Sequence, residues 1–85
     1  MKTEILAGLS TITAIAIKNR ADTIIAAATM DPEVGKARGF LLREDGRILV
    51  NTDPAFDTED AAKEHMREVV KACVEWGEAG MPRIG

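Results

Sequence analysis

Apolar positions recur along this chain with different periods, and the changes of period divide it into three segments. In the last, Ala62, Met66, Val69, Cys73 and Trp76 follow at spacings of 4, 3, 4 and 3, which is one face of an α-helix. Val70 and Val74 widen that face on one side, and Ala61, His65 and Ala72 on the other. The opposite side carries Asp60, Lys63, Glu64, Arg67, Glu68, Lys71 and Glu75, interleaved so that charges three and four apart can pair. Asp57 is the expected N-cap, with acidic Glu59 and Asp60 in the first turn. Gly77 or Gly80 ends the run, and Pro82 prevents its resumption. The pattern predicts a helix over about 58–77 and a tail over 78–85.

The middle segment lies between two Asp-Pro steps, Asp31-Pro32 and Asp53-Pro54, where the residue before proline is pushed out of the helical region. Two apolar runs flank Glu44-Asp45-Gly46, which predicts a β-hairpin over about 39–51. A three-residue loop with Gly46 in the left-handed region pairs Arg43 with Arg47 and Leu42 with Ile48. That register puts Phe40, Leu42, Ile48 and Val50 on one face and Leu41, Arg43, Arg47 and Leu49 on the other. A buried face fixes register, so the first set is expected inside.

The first segment supports two readings. On a helical wheel Glu4, Thr11, Lys18, Asp22 and Thr29 form one narrow polar stripe, and many alanines favour a helix over about 3–29. The β-branched runs Thr11–Ile17 and Thr23–Ile25 favour two strands joined across Asn19–Asp22 instead. The helix is preferred because neither run alternates cleanly. The chain is therefore expected to be one small α+β domain spanning 1–85, in the order helix, β-hairpin, helix. The alternative is a four-stranded antiparallel meander with one C-terminal helix.

A first helix of 27 residues would be about 40 Å long, whereas a compact domain of this size is only about 30 Å across. Its apolar arc is also wider than one hairpin and one helix can cover. A homodimer resolves both difficulties and is the expected state.

Composition agrees with a folded domain: 46% of the 85 residues are hydrophobic and 29% charged, with a net charge of −3. That acidic balance disfavours a dedicated nucleic-acid binder or a polybasic membrane anchor. Charge is uneven, net +2 over 1–43 and −5 over 44–85. Lys36, Arg38, Arg43 and Arg47 could form a small basic patch, but only Phe40 is near to stack on a base. Ser10, Thr11 and Thr13 dilute the stretch Ile5–Ile17 too much for a signal sequence, and Lys18, Asn19, Arg20 and Asp22 arrive too early for a membrane span. A cytoplasmic protein that does not bind membranes is expected.

Little chemistry is written in the residues. Cys73 is the single cysteine, so neither a disulfide framework nor a cysteine-based zinc site is expected within one chain. His65 and Cys73 are the only base and nucleophile of their kind, but eight residues of helix separate them by about 12 Å. They could act together only across a subunit interface; otherwise Cys73 is a core thiol and His65 a packing residue. Asp53, Asp57, Glu59 and Asp60 lack calcium-loop spacing, and no glycine-rich phosphate loop occurs. No cofactor or metal is expected. Leu41 and Leu49 flanked by Arg43 and Arg47 suit contact with a partner protein. The expected function is thus a non-enzymatic interaction or regulatory module acting as a homo-oligomer. A ligand-binding or catalytic site at the subunit interface, using His65 and Cys73, is the alternative, and weak nucleic-acid binding through the basic patch a third.

Overall fold

The computed structural model describes Leu6 and residues 8–80 of the chain. The described residues form an α+β domain in the order α1 (Thr11–Asn19), β1 (Ile25–Asp31), β2 (Lys36–Leu42), β3 (Ile48–Asn51) and α2 (Glu59–Glu78). The three strands make one antiparallel sheet in the order β1-β2-β3. Both helices lie on the same face of it, α2 against β1 and β2, and α1 against α2 and β3. The domain is 17 Å thick along its shortest axis, the depth of one sheet and one helix layer.

The helix expected over 3–29 is corrected to a helix of 9 residues and a strand of 7; positions 3–5 and 7 of that range lie outside the described residues. Ser10 caps α1 by accepting a hydrogen bond from the Thr13 amide at 3.1 Å. The helix stops at Arg20, whose carbonyl accepts from the amides of Thr23 and Ile24 and from the Thr23 hydroxyl. Those bonds turn the chain, and Ile25 onwards pairs along all of β2. Of the two runs in the strand alternative, Thr11–Ile17 is helix, and Thr23–Ile25 reaches a strand only at Ile25, where β1 begins. The meander that results has three strands rather than four.

The β2–β3 hairpin has the three-residue loop. The Arg43 amide donates to the Arg47 carbonyl at 2.8 Å, Leu42 faces Ile48, and Gly46 sits at φ +88°. Below that point the register slips, so that Leu41 faces Val50 and Phe40 faces Asn51, with Leu49 as the extra residue of a bulge. The expected faces are inverted along β2 and at Ile48, whereas Val50 packs against the core as expected. Ala37, Gly39 and Leu41 point into the core, while Phe40 and Leu42 are half-buried and Ile48 is 52% exposed. Small residues decide this. A β-carbon at Gly39 would lie 2.6 Å from Met66 Cγ and 3.1 Å from the Ala62 carbonyl oxygen, so α2 packs there only over a residue without a side chain.

Helix α2 runs as its periodicity predicts. Ala62, Met66, Val69, Ala72, Cys73 and Trp76 are buried. All but Ala62 join Leu6, Ala14, Ile17 and Leu41 in one core. The N-cap is Thr58, whose hydroxyl accepts from the Ala61 amide at 3.0 Å, and not Asp57. Asp57 instead makes an ion pair with Lys36.

Candidate functional site

Four residues were expected to share a partner-facing surface: Leu41, Arg43, Arg47 and Leu49. The fold separates them. Leu41 is fully buried beneath α2, and Leu49 is half-buried and packs against the core from the bulge. Arg43 and Arg47 remain at the hairpin mouth, the first partly covered and the second exposed. The uncovered face of the sheet carries a different set. Ile25, Leu42 and Ile48 are direct cross-strand neighbours across all three strands. Ile25 is 53% and Ile48 52% exposed, and among the described residues no helix covers them. Ala27, Phe40 and Asn51 form the next row, then Thr29 and Arg38, then Asp31 and Lys36. This face is apolar at the hairpin end and charged at the other.

Sequence reasoning missed Ile25 because its segment was assigned to a helix, and missed Ile48 because the larger apolar residues were assumed to face inward. The alternation Ala37-x-Gly39-x-Leu41 was the available signal, since only small residues admit a helix that close.

Three of the four basic-patch residues have carboxylate partners: Lys36 with Asp57, Arg38 with Asp31 at 3.1 Å, and Arg43 with Asp45 at 3.8 Å. Arg47 makes no ion pair among the described residues. The Asp31 carboxyl is held below its ordinary range by the Glu33 amide and then by Arg38. The Arg47 amide does the same for Asp45, and the Lys36 ammonium for Asp57. Pairing of this kind spends the positive charge locally, which leaves little to meet a phosphate backbone.

His65 stacks at a tilt on Phe56, with ring centroids 5.1 Å apart. Cys73 is wholly buried in the core, and burial pushes its thiol up to about 11. A thiolate is the reactive form, so this thiol is unreactive at neutral pH. Ellman's reagent is expected to leave Cys73 unmodified in the native protein and to modify it at the rate of global unfolding. The raised value also has a sign for stability. The folded state holds the proton more tightly, so its stabilising contribution is intact below the ordinary thiol range near 9 and is lost as pH rises through about 11. Thermal melts between those limits should show declining stability in the parent and a smaller decline in Cys73→Ala.

Among the described residues no group of three or more His, Cys, Asp or Glu side chains is placed to hold a metal ion, and no helix is long and apolar enough to cross a membrane. Comparison of the chain with protein-family models, curated proteins and solved structures returned no match.

Proposed function

We propose that this chain is a non-enzymatic, cytoplasmic protein–protein interaction module that works as a homo-oligomer. The observation that carries the reading is that, among the described residues, helices cover one face of the sheet only and the other presents the row Ile25, Leu42 and Ile48. A row of large aliphatic side chains left in water costs about 25 cal/mol per Å² relative to burial, and a partner removes that cost. Arg43 and Arg47 at the edge of the row favour a partner whose apolar residues are flanked by carboxylates. The catalytic alternative draws no support from His65, which packs against an aromatic ring, or from Cys73, which lies inside the core of its own chain.

The test is paired. Ile25→Asp with Ile48→Asp replaces exposed side chains, so the melt should shift by no more than roughly 1 kcal/mol in stability. Partner affinity should fall at least about tenfold, since even one lost apolar anchor commonly costs more than 1.4 kcal/mol. Replacing Arg43 and Arg47 by Glu should weaken the same partner with the melt unchanged. Partners that remain bound to both variants sink the reading of this face. A one-chain mass in light scattering at micromolar concentration, with a cooperative melt, sinks the homo-oligomer.

A further inference from the structure

The two edges of the sheet are built differently. β3 is 4 residues long, carries the bulge, and is continued by Thr52 and by the Ala37–Phe56 bridge. β1 is 7 residues long, Ile-Ala-Ala-Ala-Thr-Met-Asp, with no proline, no bulge and no charge before its last residue. It lacks the proline, the bulge and the mid-strand charges that keep a strand edge from pairing.

Its outward backbone groups can be identified. Ala37 exchanges hydrogen bonds with Ala55 and Phe56, and Gly39 with Thr52, so both direct their backbone away from β1. Residues opposite them in the ladder, Met30 and Ala28, therefore point theirs outward, and by alternation so does Ala26. The Met30 amide donates to the Glu59 carboxylate at 3.1 Å, and the Ile24 amide donates to the Arg20 carbonyl. Among the described residues nothing bonds the outward N–H and C=O of Ala26 and Ala28.

The geometry points to a two-fold pairing of two copies of this chain through β1, antiparallel, with Ala27 on the axis. This rests on the homo-oligomer reading and assigns the contact between copies to the β1 edge, leaving the open face to another partner. Three registers place outward groups opposite outward groups near the strand centre. Centring on Ala26 leaves the Ala28 carbonyl facing the engaged Ile24 amide, and centring on Ala28 leaves the Ala26 carbonyl facing the engaged Met30 amide. Centring on Ala27 sets Ala26 against the partner subunit's Ala28 and satisfies all four groups of each chain while using no engaged donor. The edge is complementary to itself.

The helix layer agrees. α2 rides over β1 and β2 together, so strands joined about 4.8 Å apart bring the two copies of α2 to roughly 10 Å, the distance at which helices pack. Arg67, Val70 and Lys71 of α2 line a groove beside Ile24 and Ala26 at this edge. The first turns of the helix, 59–64, carry net −2, and Glu59 marks their place at the Met30 end of β1. The two-fold brings those acidic turns toward the Arg67 and Lys71 end of the neighbouring helix.

A cysteine at the axis tests the register. In a pair that exchanges no hydrogen bonds the Cα atoms lie about 4.5 Å apart, within the roughly 4.4–6.8 Å that a disulfide spans. Ala27→Cys treated with oxidised glutathione, which accepts the electrons and protons of the two thiols, should run as a linked dimer on a non-reducing gel. Thr29→Cys lies on the same face but about 13 Å from its copy, and should stay unlinked; Cys73 is buried and does not compete. Ala28→Pro removes an outward N–H but no β1–β2 bond, and should halve the light-scattering mass while keeping a cooperative melt. A parent protein with the mass of one chain at micromolar concentration overturns this pairing and the homo-oligomer reading together, leaving the edge for a strand of another protein. A two-chain mass with Thr29→Cys linking as readily as Ala27→Cys overturns the pairing alone.

Discussion

Leu41→Ala is expected to destabilise the chain by about 2–5 kcal/mol, the range for truncating a fully buried leucine. Leu41 is completely buried near the C-terminal end of β2, packed in one cluster with Met66, Val69 and Cys73 of α2 and with Ile17 of α1. Its removal leaves a cavity between the sheet and the helix layer, so relaxation from one side is limited by the other. A domain of 85 residues has a total stability of only about 4–13 kcal/mol, so the variant should lose a large share of it. Urea denaturation followed by circular dichroism measures this, with the midpoint lowered and the slope unchanged. The result separates two views of the residue. A leucine that served only a partner would leave the midpoint alone and cost only binding.

Gly39→Val is expected to cost at least as much, about 3 kcal/mol or more, by overpacking rather than by a cavity. The new β-carbon would meet Met66 Cγ at 2.6 Å, Met66 Sδ at 3.0 Å and the Ala62 carbonyl oxygen at 3.1 Å. The methionine can turn aside, because its side chain is unbranched and flexible. The carbonyl belongs to the backbone of α2 and cannot move without the helix. Gly39→Ala should therefore be milder than valine, about 1–3 kcal/mol, less the few tenths gained by stiffening the unfolded chain. Combining Gly39→Ala with Met66→Ala gives a sharper test. If the methionine causes most of the clash, the double variant is destabilised by less than the sum of the single ones. Strict additivity in that cycle would show that the contact with Met66 is not what keeps position 39 a glycine.

These two residues also show how much of the fold could be read from the sequence. α2 was legible almost to the residue, since a helix with one apolar face and a charged back needs only its own period to declare itself. The loop of the hairpin was legible too, because Gly46 can occupy a backbone region that its neighbours avoid. Which face of β2 turns inward was not. Hydrophobic size argued for Phe40 and Leu42, whereas the answer depended on how near α2 comes to Gly39, a fact about another element 20 residues away. The same holds for Ile25–Asp31. Its alanines favour a helix in isolation, and only the ladder with β2 makes them a strand. The site was hidden for both reasons at once, as Ile25 needed the strand and Ile48 needed the inverted face. The proposal of a partner therefore rests on different ground from the expectation. A helix of 9 residues overhangs nothing, and the argument from length is replaced by the open face and the free edge of the sheet.

The plain meander order of the sheet also bears on how the chain folds. Each strand pairs only with its neighbours in sequence, across one four-residue turn and one three-residue loop, so little chain entropy is spent in closing either hairpin. Contacts this local place the sheet among fast-forming structures, and α2 follows β3 by a short connection. α1 is the exception. Ala14 and Ile17 are fully buried, yet α1 packs chiefly against α2, roughly 50 residues further along the chain. Its first helical turns can form only transiently until that surface exists. This pattern of contacts predicts that α1 docks last and leaves first, so that native-state hydrogen exchange should show its amides losing protection before those of the sheet and α2.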